Sequence, residues 1–252
     1  MARPVTLVTG ASAGIGAAFA KACVRRGEAV LLVARRRDRL DALATELGGE
    51  VHVIAADLAE RDAPAQLLEE AERRGLEVAT LINNAGFGLS GRFAALPLDR
   101  QLEMINLNVR ALTELTGRVL PGMRARRSGG ILNIASTAAF QPGPGMAVYF
   151  ATKAFVLSFS DALHQELKAS GIKVSALCPG PVATEFPDVA GVTSAYFARF
   201  AVDPAGVAAA GLRGLDRNRP VVVPGLSAKL GAQAHRVLPR AALRRIIARM
   251  KF

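Results

Sequence analysis

Tyr149 and Lys153 stand one helical turn apart in the stretch Ser136 to Lys153, STAAFQPGPGMAVYFATK, and side chains at that spacing share a helix face. A free phenol ionises at about pH 10 and exchanges protons poorly at neutrality. An ammonium group held beside it favours the phenolate, so Lys153 is expected to lower the Tyr149 pKa and open proton exchange with a carbonyl or an alcohol. Ser136, at the end of a predicted strand, is placed to hydrogen-bond the same substrate oxygen. One group then positions an oxygen, one protonates it, and a cation tunes the proton donor. Y-x-x-x-K alone arises often on helices, so the reading depends on what else the chain supplies.

The supply begins at the first strand. Val5 to Thr9 is an apolar, β-branched run that meets Gly10-Ala-Ser-Ala-Gly14-Ile-Gly16, followed by a helical pattern over residues 15–27. Strand, glycine loop and helix in that order lay a pyrophosphate on helix N–H groups, with glycines admitting the phosphates to the backbone. Gly10, Ser12, Ala13, Gly14, Ile15 and Gly16 are the candidate contacts. The same residues match G-x-S-x-G, the nucleophile elbow of α/β-hydrolases, with Ser12 as nucleophile. That alternative needs a downstream acid and histidine. Only His52, His164 and His235 follow, and His164 suits a helix face. An elbow on the first strand would also lack the earlier strands that supply its oxyanion loop.

The second strand, Ala29 to Ala34, ends in Arg35, Arg36 and Arg37. In dinucleotide folds an acid here binds the ribose 2′-hydroxyl, whereas a basic residue accommodates a 2′-phosphate. Neutral Ala34 followed by Arg35 therefore favours NADP(H) over NAD(H). A third strand, Val51 to Ala55, leads to Asp57-Leu58, where a carboxylate can meet the adenine amino group. The fourth, Ala79 to Ile82, runs into Asn83-Asn84-Ala85-Gly86. Those asparagines can lock the central strands while Asn84, Ala85 and Gly86 bring backbone to the cofactor ribose.

Thr9-Gly10-x-x-x-Gly14-x-Gly16, Asp57, Asn83-Asn84-Ala85-Gly86, Asn108, Ser136, Tyr149-x-x-x-Lys153 and Pro179-Gly180, in that order, resemble the short-chain dehydrogenase/reductase family. The A-R-R strand end and Val221 to Gly225 resemble its NADP-dependent bacterial branch, which is similar to long-chain 3-oxoacyl reductases and hydroxysteroid dehydrogenases. The resemblance implies a single-domain Rossmann fold, a doubly wound α/β structure with a seven-stranded parallel sheet of order 3-2-1-4-5-6-7. It implies Asn108, Ser136, Tyr149 and Lys153 as the catalytic set. Asn108 would hold a water bonded to the lysine at a distortion in the helix predicted from Gln101 to Arg127. Tyr149 and Lys153 would also touch the cofactor, and Pro179, Gly180, Val182 and Thr184 would meet the nicotinamide end. It further implies a small carbonyl or alcohol substrate and a homodimer or homotetramer. A cofactor-sensing protein without turnover is the remaining alternative, and the intact catalytic set speaks against it.

Residues 185–203 carry Phe186, Val189, Val192, Tyr196, Phe197 and Phe200 where family members carry a substrate lid, and their character suits an apolar substrate. Strands are further expected at Ile131 to Ala135, Ile172 to Cys178 and Pro220 to Val223. Helices are expected over residues 147–170, stopped by Gly171, and from Asp203-Pro204. Residues 1–225 form the domain and 226–252 a basic helical tail. The formal charge of +11 comes from that end: after Asp216 there is no acid, while Arg217, Arg219, Lys229, Arg236, Arg240, Arg244, Arg245, Arg249 and Lys251 are basic. A charge excess confined to a tail, without tryptophan, argues against nucleic acid. From Leu230 onward arginines alternate with apolar residues, a pattern that suits a helix lying on an anionic membrane surface, a lid for the substrate pocket or a solvated helix. No apolar run is long enough to span a bilayer, and the N-terminus enters a strand at once, so a cytoplasmic protein is expected. Cys23 and Cys178 are too few for a disulfide framework or a metal site, and no metal is expected.

Overall fold

The computed structural model describes residues 2–192 and 200–249. Tyr196, Phe197 and Lys251 lie outside the described residues, as does the side chain of His235. Strands β1 (Arg3–Thr9), β2 (Val30–Ala34), β3 (Val51–Ala55), β4 (Leu76–Asn83), β5 (Gly129–Ile134), β6 (Ile172–Leu177) and β7 (Val221–Val222) are all parallel. They form one sheet in the order 3-2-1-4-5-6-7, the doubly wound arrangement expected. Helices α1 (Gly14–Arg25), α2 (Arg37–Leu47), α3 (Ala63–Arg73), α4 (Leu98–Ile105), α5 (Leu112–Ala125) and α6 (Ala147–Leu167) connect the first six strands. After β6 come α7 (Phe186–Ala190), α8 (Pro204–Asp216), α9 (Leu226–Val237) and α10 (Arg240–Ala248).

Both faces of the central strands are buried, which is why β2 reads as an unbroken apolar run and β1 as a nearly apolar one from Val5 onward. Val8, Leu32, Ile82, Leu132 and Leu177 point to Phe19, Leu40, Val207 and Leu212 on α1, α2 and α8. Their neighbours Leu7, Leu31, Val33, Leu81, Ile131 and Val174 point the other way, to Leu67, Leu115, Met123 and Leu167 on α3, α5 and α6. Near the strand ends a buried polar network interrupts this core. Asn83 donates to Asn133 Oδ1 at 2.9 Å and to Thr116 Oγ1 at 3.1 Å, and Asn133 donates to Ser160 Oγ at 2.9 Å. The network ties β4 to β5, α5 and α6 just below the strand ends that carry the site.

The helix expected from Gln101 to Arg127 carries a distortion at Asn108, as the resemblance implied: α4 and α5 are joined by a π turn over Asn106–Ala111. Two elements depart from the sequence reading. The tail is not one helix from Leu230: it breaks after Leu238, because Pro239 removes an N–H and holds Leu238 extended (φ −103°, ψ 134°). Helix α6 ends at Leu167 and passes through a 3₁₀ turn before Gly171, which stops it as expected with φ 74°. At the start of α8, Asp203 caps the Gly206 N–H at 3.0 Å, and Pro204 occupies the first turn.

Candidate active site

The carboxyl ends of β1, β2, β4, β5 and β6 open onto one cleft of about 410 Å³. At its floor the β1–α1 loop turns through Gly10 and Gly14, whose φ of 66° and 55° are left-handed. A Cβ on Gly16 would lie 2.2 Å from the Gly10 carbonyl oxygen, so the loop packs on the helix only with glycine there. Ala13 precedes α1 without a side-chain cap, and the first turn holds no acid. The first N–H groups and the positive helix end are left for an anion in the cleft. Thr9 Oγ1 accepts from the Asn84 and Ala85 N–H groups at 3.0 Å each, and Asn84 Nδ2 donates to the Thr9 carbonyl at 2.9 Å. These bonds fix the Asn84-Ala85-Gly86 turn against the glycine loop.

Of the candidate catalytic and cofactor-contact residues, all but Gly16 and Asn108 line this cleft. Ser136 leaves β5 and caps the 3₁₀ turn Thr137–Phe140, its Oγ accepting from Ala138 N at 3.1 Å. Tyr149 and Lys153 project from the first turns of α6. Lys153 is 7% exposed, and its Nζ donates to the Ile134 carbonyl at 2.8 Å. Asn108 sits in the π turn with its amide fully engaged. It donates to Phe87 O at 2.9 Å and to Thr152 Oγ1 at 3.1 Å, and accepts from Phe87 N at 3.1 Å. Gly86 packs directly against it with no room for a side chain: a Cβ there would stand 2.8 Å from Asn108 Oδ1 and 3.5 Å from Lys153 Nζ.

The lysine does not depress the tyrosine. Burial pushes Tyr149 up to about 12, with Ser136 pulling partly the other way. Lys153 Nζ lies over the phenol ring, 5.9 Å from its centroid, and turns its hydrogen bond to Ile134. At that distance its charge does not offset the loss of water around the phenol, and burial brings Lys153 itself down to about 8. The expected lowering of the tyrosine pKa is therefore corrected: the phenol holds its proton across the neutral range. Burial also pushes the Cys178 thiol up to about 12, which fits a packed strand end rather than a nucleophile.

At the β2 and β3 end of the cleft Arg35 is 3.6 Å from Asp57 and 3.7 Å from Glu103, and Asp57 Oδ1 also accepts from Ala59 N. Arg36 reaches further inward, donating to Ser12 Oγ at 3.2 Å and to Glu185 at 3.1 Å, and Arg39 joins it on Glu185. At the other end Phe186 packs on Tyr149 with ring centroids 5.3 Å apart. Met146, Phe150, Ala190, Val192 and Ile247 complete an apolar wall. Sequence reasoning passed over Met146, Phe150 and Thr152, which carry no motif signal, and gave Arg36 less weight than Arg35. Ser12 has no histidine partner among the described side chains. His52 meets Glu50, and His164 meets the Val174 carbonyl.

A family model for short chain dehydrogenases matches residues 4–191. The chain belongs to the short-chain dehydrogenase family. A very-long-chain 3-oxoacyl-CoA reductase of Anas platyrhynchos is 41% identical over 191 residues, covering 73% of this chain and 61% of that reductase, so the chain spans about three-fifths of its length. The NADP-dependent 3-hydroxy acid dehydrogenase YdfG of Escherichia coli (strain K12) is 37% identical over 187 residues, 73% of this chain and 75% of that one. Among solved structures, a short-chain dehydrogenase from Sphingobium yanoikuyae in complex with NADPH superposes with a TM-score of 0.82 at 39% identity, covering 91% of each chain.

Proposed function

We propose that this protein is an NADP(H)-dependent oxidoreductase exchanging a hydride between nicotinamide and a carbonyl or secondary alcohol of an apolar small molecule. The observation that carries the reading is the meeting of Ser136, Tyr149 and Lys153 in the cleft opened by the uncapped glycine loop. The residues fit such a cofactor: the first turn of α1 faces the cleft with neither a side-chain cap nor an acid, and glycines at 10 and 16 let the loop, α1 and the Asn84–Gly86 turn pack closely together. Arg35 and Arg36 offer cations where a 2′-phosphate would lie, and NADPH in the Sphingobium relative agrees with that choice.

When bound, the nicotinamide supplies or accepts the hydride. The rest falls to the chain. Asp57 and Leu58 border the adenine end, and Thr184 with Pro179, Gly180 and Val182 borders the nicotinamide end. Tyr149, neutral at working pH, gives its proton to the carbonyl oxygen as negative charge builds there. Ser136 Oγ donates a hydrogen bond to the same oxygen and fixes its place. Lys153, mostly charged below pH about 8, favours the phenolate left behind. Asn108, its side chain committed to Phe87 and Thr152, fixes the π turn beside Lys153, and the relay water that returns a proton through Lys153 sits at that turn. Met146, Phe150, Phe186 and Val189 give the substrate end its apolar character, which suits the oxoacyl substrate named for the Anas relative.

We assign a homo-oligomer on a specific surface. Leu98, Leu102 and Ile105 recur on the exposed face of α4, and Phe155 stacks on Phe159 along the neighbouring α6. The function is tested by titrating the purified protein with NADPH and NADH, then following NADPH consumption against long-chain 3-oxoacyl thioesters and bulky ketones. Tighter NADPH binding with turnover of one apolar class is expected. Binding of neither cofactor overturns the reading.

A further inference from the structure

Helix α9 is built inside out for a surface helix. Its small residues Ala228 and Ala232 face the protein, Ala228 lying against Gly180 and Ala232 buried at 2% exposure. Its large apolar residues face outward: Leu226, Leu230 and Val237 are 75%, 67% and 80% exposed. At about 100° per residue these three fall within about 40° of one another, opposite Ala232. Lys229 and Arg236 run along one edge of the stripe, and Arg240, Arg244 and Arg245 on α10 and Arg249 just after it follow, every one exposed. No acidic residue occurs after Asp216 to balance them.

We infer that this tail docks the protein on an anionic lipid surface, with Leu226, Leu230 and Val237 entering the acyl boundary and the basic side chains meeting the headgroups. An apolar stripe edged on one side by cations, with four more arginines following and no acid in the tail, matches such a surface on both counts. A second copy of this chain would set two uniformly basic faces against each other. A nucleic acid would satisfy the arginines and leave the leucines in water. Docking stands independently of the hydride-transfer reading. One consequence does rest on that reading. Ile247 of α10 packs in the same cluster as Met146, Phe150 and Val192, so docking holds the substrate end of the cleft beside the bilayer, where an apolar ketone partitions.

The test is flotation of the full chain with vesicles of phosphatidylcholine alone and of phosphatidylcholine with phosphatidylglycerol. Binding about tenfold or more stronger to the anionic vesicles, weakened by added salt, is expected. Replacing Leu226, Leu230 and Val237 together by serine should abolish it with melting temperature and NADPH affinity retained. A second variant, Lys229→Gln with Arg236→Gln, Arg240→Gln and Arg244→Gln, should lose the preference for anionic vesicles. Equal association with both vesicle types overturns the inference, as does undiminished binding by the serine variant. Absence of vesicle binding, with a dimer of the wild type that the serine variant dissolves, assigns the stripe to a second copy instead. If the wild type binds vesicles but no NADPH, the docking stands and the oxidoreductase reading falls.

Discussion

Burying Lys153 behind one carbonyl partner costs the folded state, because the ammonium loses hydration that a single hydrogen bond to Ile134 does not restore. Its pKa falls from 10.5 to about 8, so between those values the unfolded chain binds the extra proton. Stability from this group is therefore present above pH about 10.5 and is lost as pH falls through about 8, a swing of up to about 3 kcal/mol. Chemical denaturation across that range should show the swing in the wild type and lose it in Lys153→Met. Parallel pH profiles would refute the burial cost. Arg36 yields a second expectation. It already donates to Ser12, so Arg36→Ala should weaken NADPH about tenfold or more and leave NADH nearly unchanged, measured by cofactor fluorescence titration. Equal losses would remove Arg36 from the 2′-phosphate site. At this scale the helical spacing of Tyr149 and Lys153, together with the order of the other motifs, singled out Ser136, Tyr149 and Lys153, and the structure sets all three on one cleft. The sequence misjudged the tyrosine pKa, because spacing shows which groups are neighbours and not how much water surrounds them.

The β1–α1 unit is the element on which the cleft depends, and its glycines act by contact rather than by flexibility alone. Gly16 has ordinary helical φ, yet a Cβ there would collide with the Gly10 carbonyl. Gly16→Ala is expected to lower stability by about 2 kcal/mol or more and to remove NADPH binding, read by melting temperature and titration. A variant with wild-type melting and affinity would contradict the packing. Strand and helix starts were legible because apolar runs end in glycine, Asp-Pro or Asn-Asn. Internal breaks were harder to read. The π turn at Asn108 is held by bonds to Phe87, 21 residues away in sequence, which no local pattern records. Pro239 was a legible break within the tail, yet the alternation of arginine with apolar residues across it masked the stop.

For the whole molecule, the strand order followed from motifs arriving in family order, and the sheet agrees strand for strand. The apolar end of the cleft was legible only in part, since Met146 and Phe150 come from the α6 entry and Ile247 from the tail, more than 90 residues on, joined by folding alone. The exposed α4 face was not read at all, because Leu98, Leu102 and Ile105 look like core residues until the fold shows them in water. Leu98→Glu with Leu102→Glu should weaken self-association about tenfold or more by analytical ultracentrifugation. An unchanged mass at equal concentration would exclude that face as the subunit contact.

The central claim is that Tyr149 delivers the proton while the rest of the site binds. Tyr149→Phe removes the hydroxyl and keeps the ring that packs on Phe186. Turnover of an apolar ketone with NADPH should fall by about 10²-fold or more, with the NADPH dissociation constant within about twofold of wild type. Full turnover in the phenylalanine variant would contradict the account.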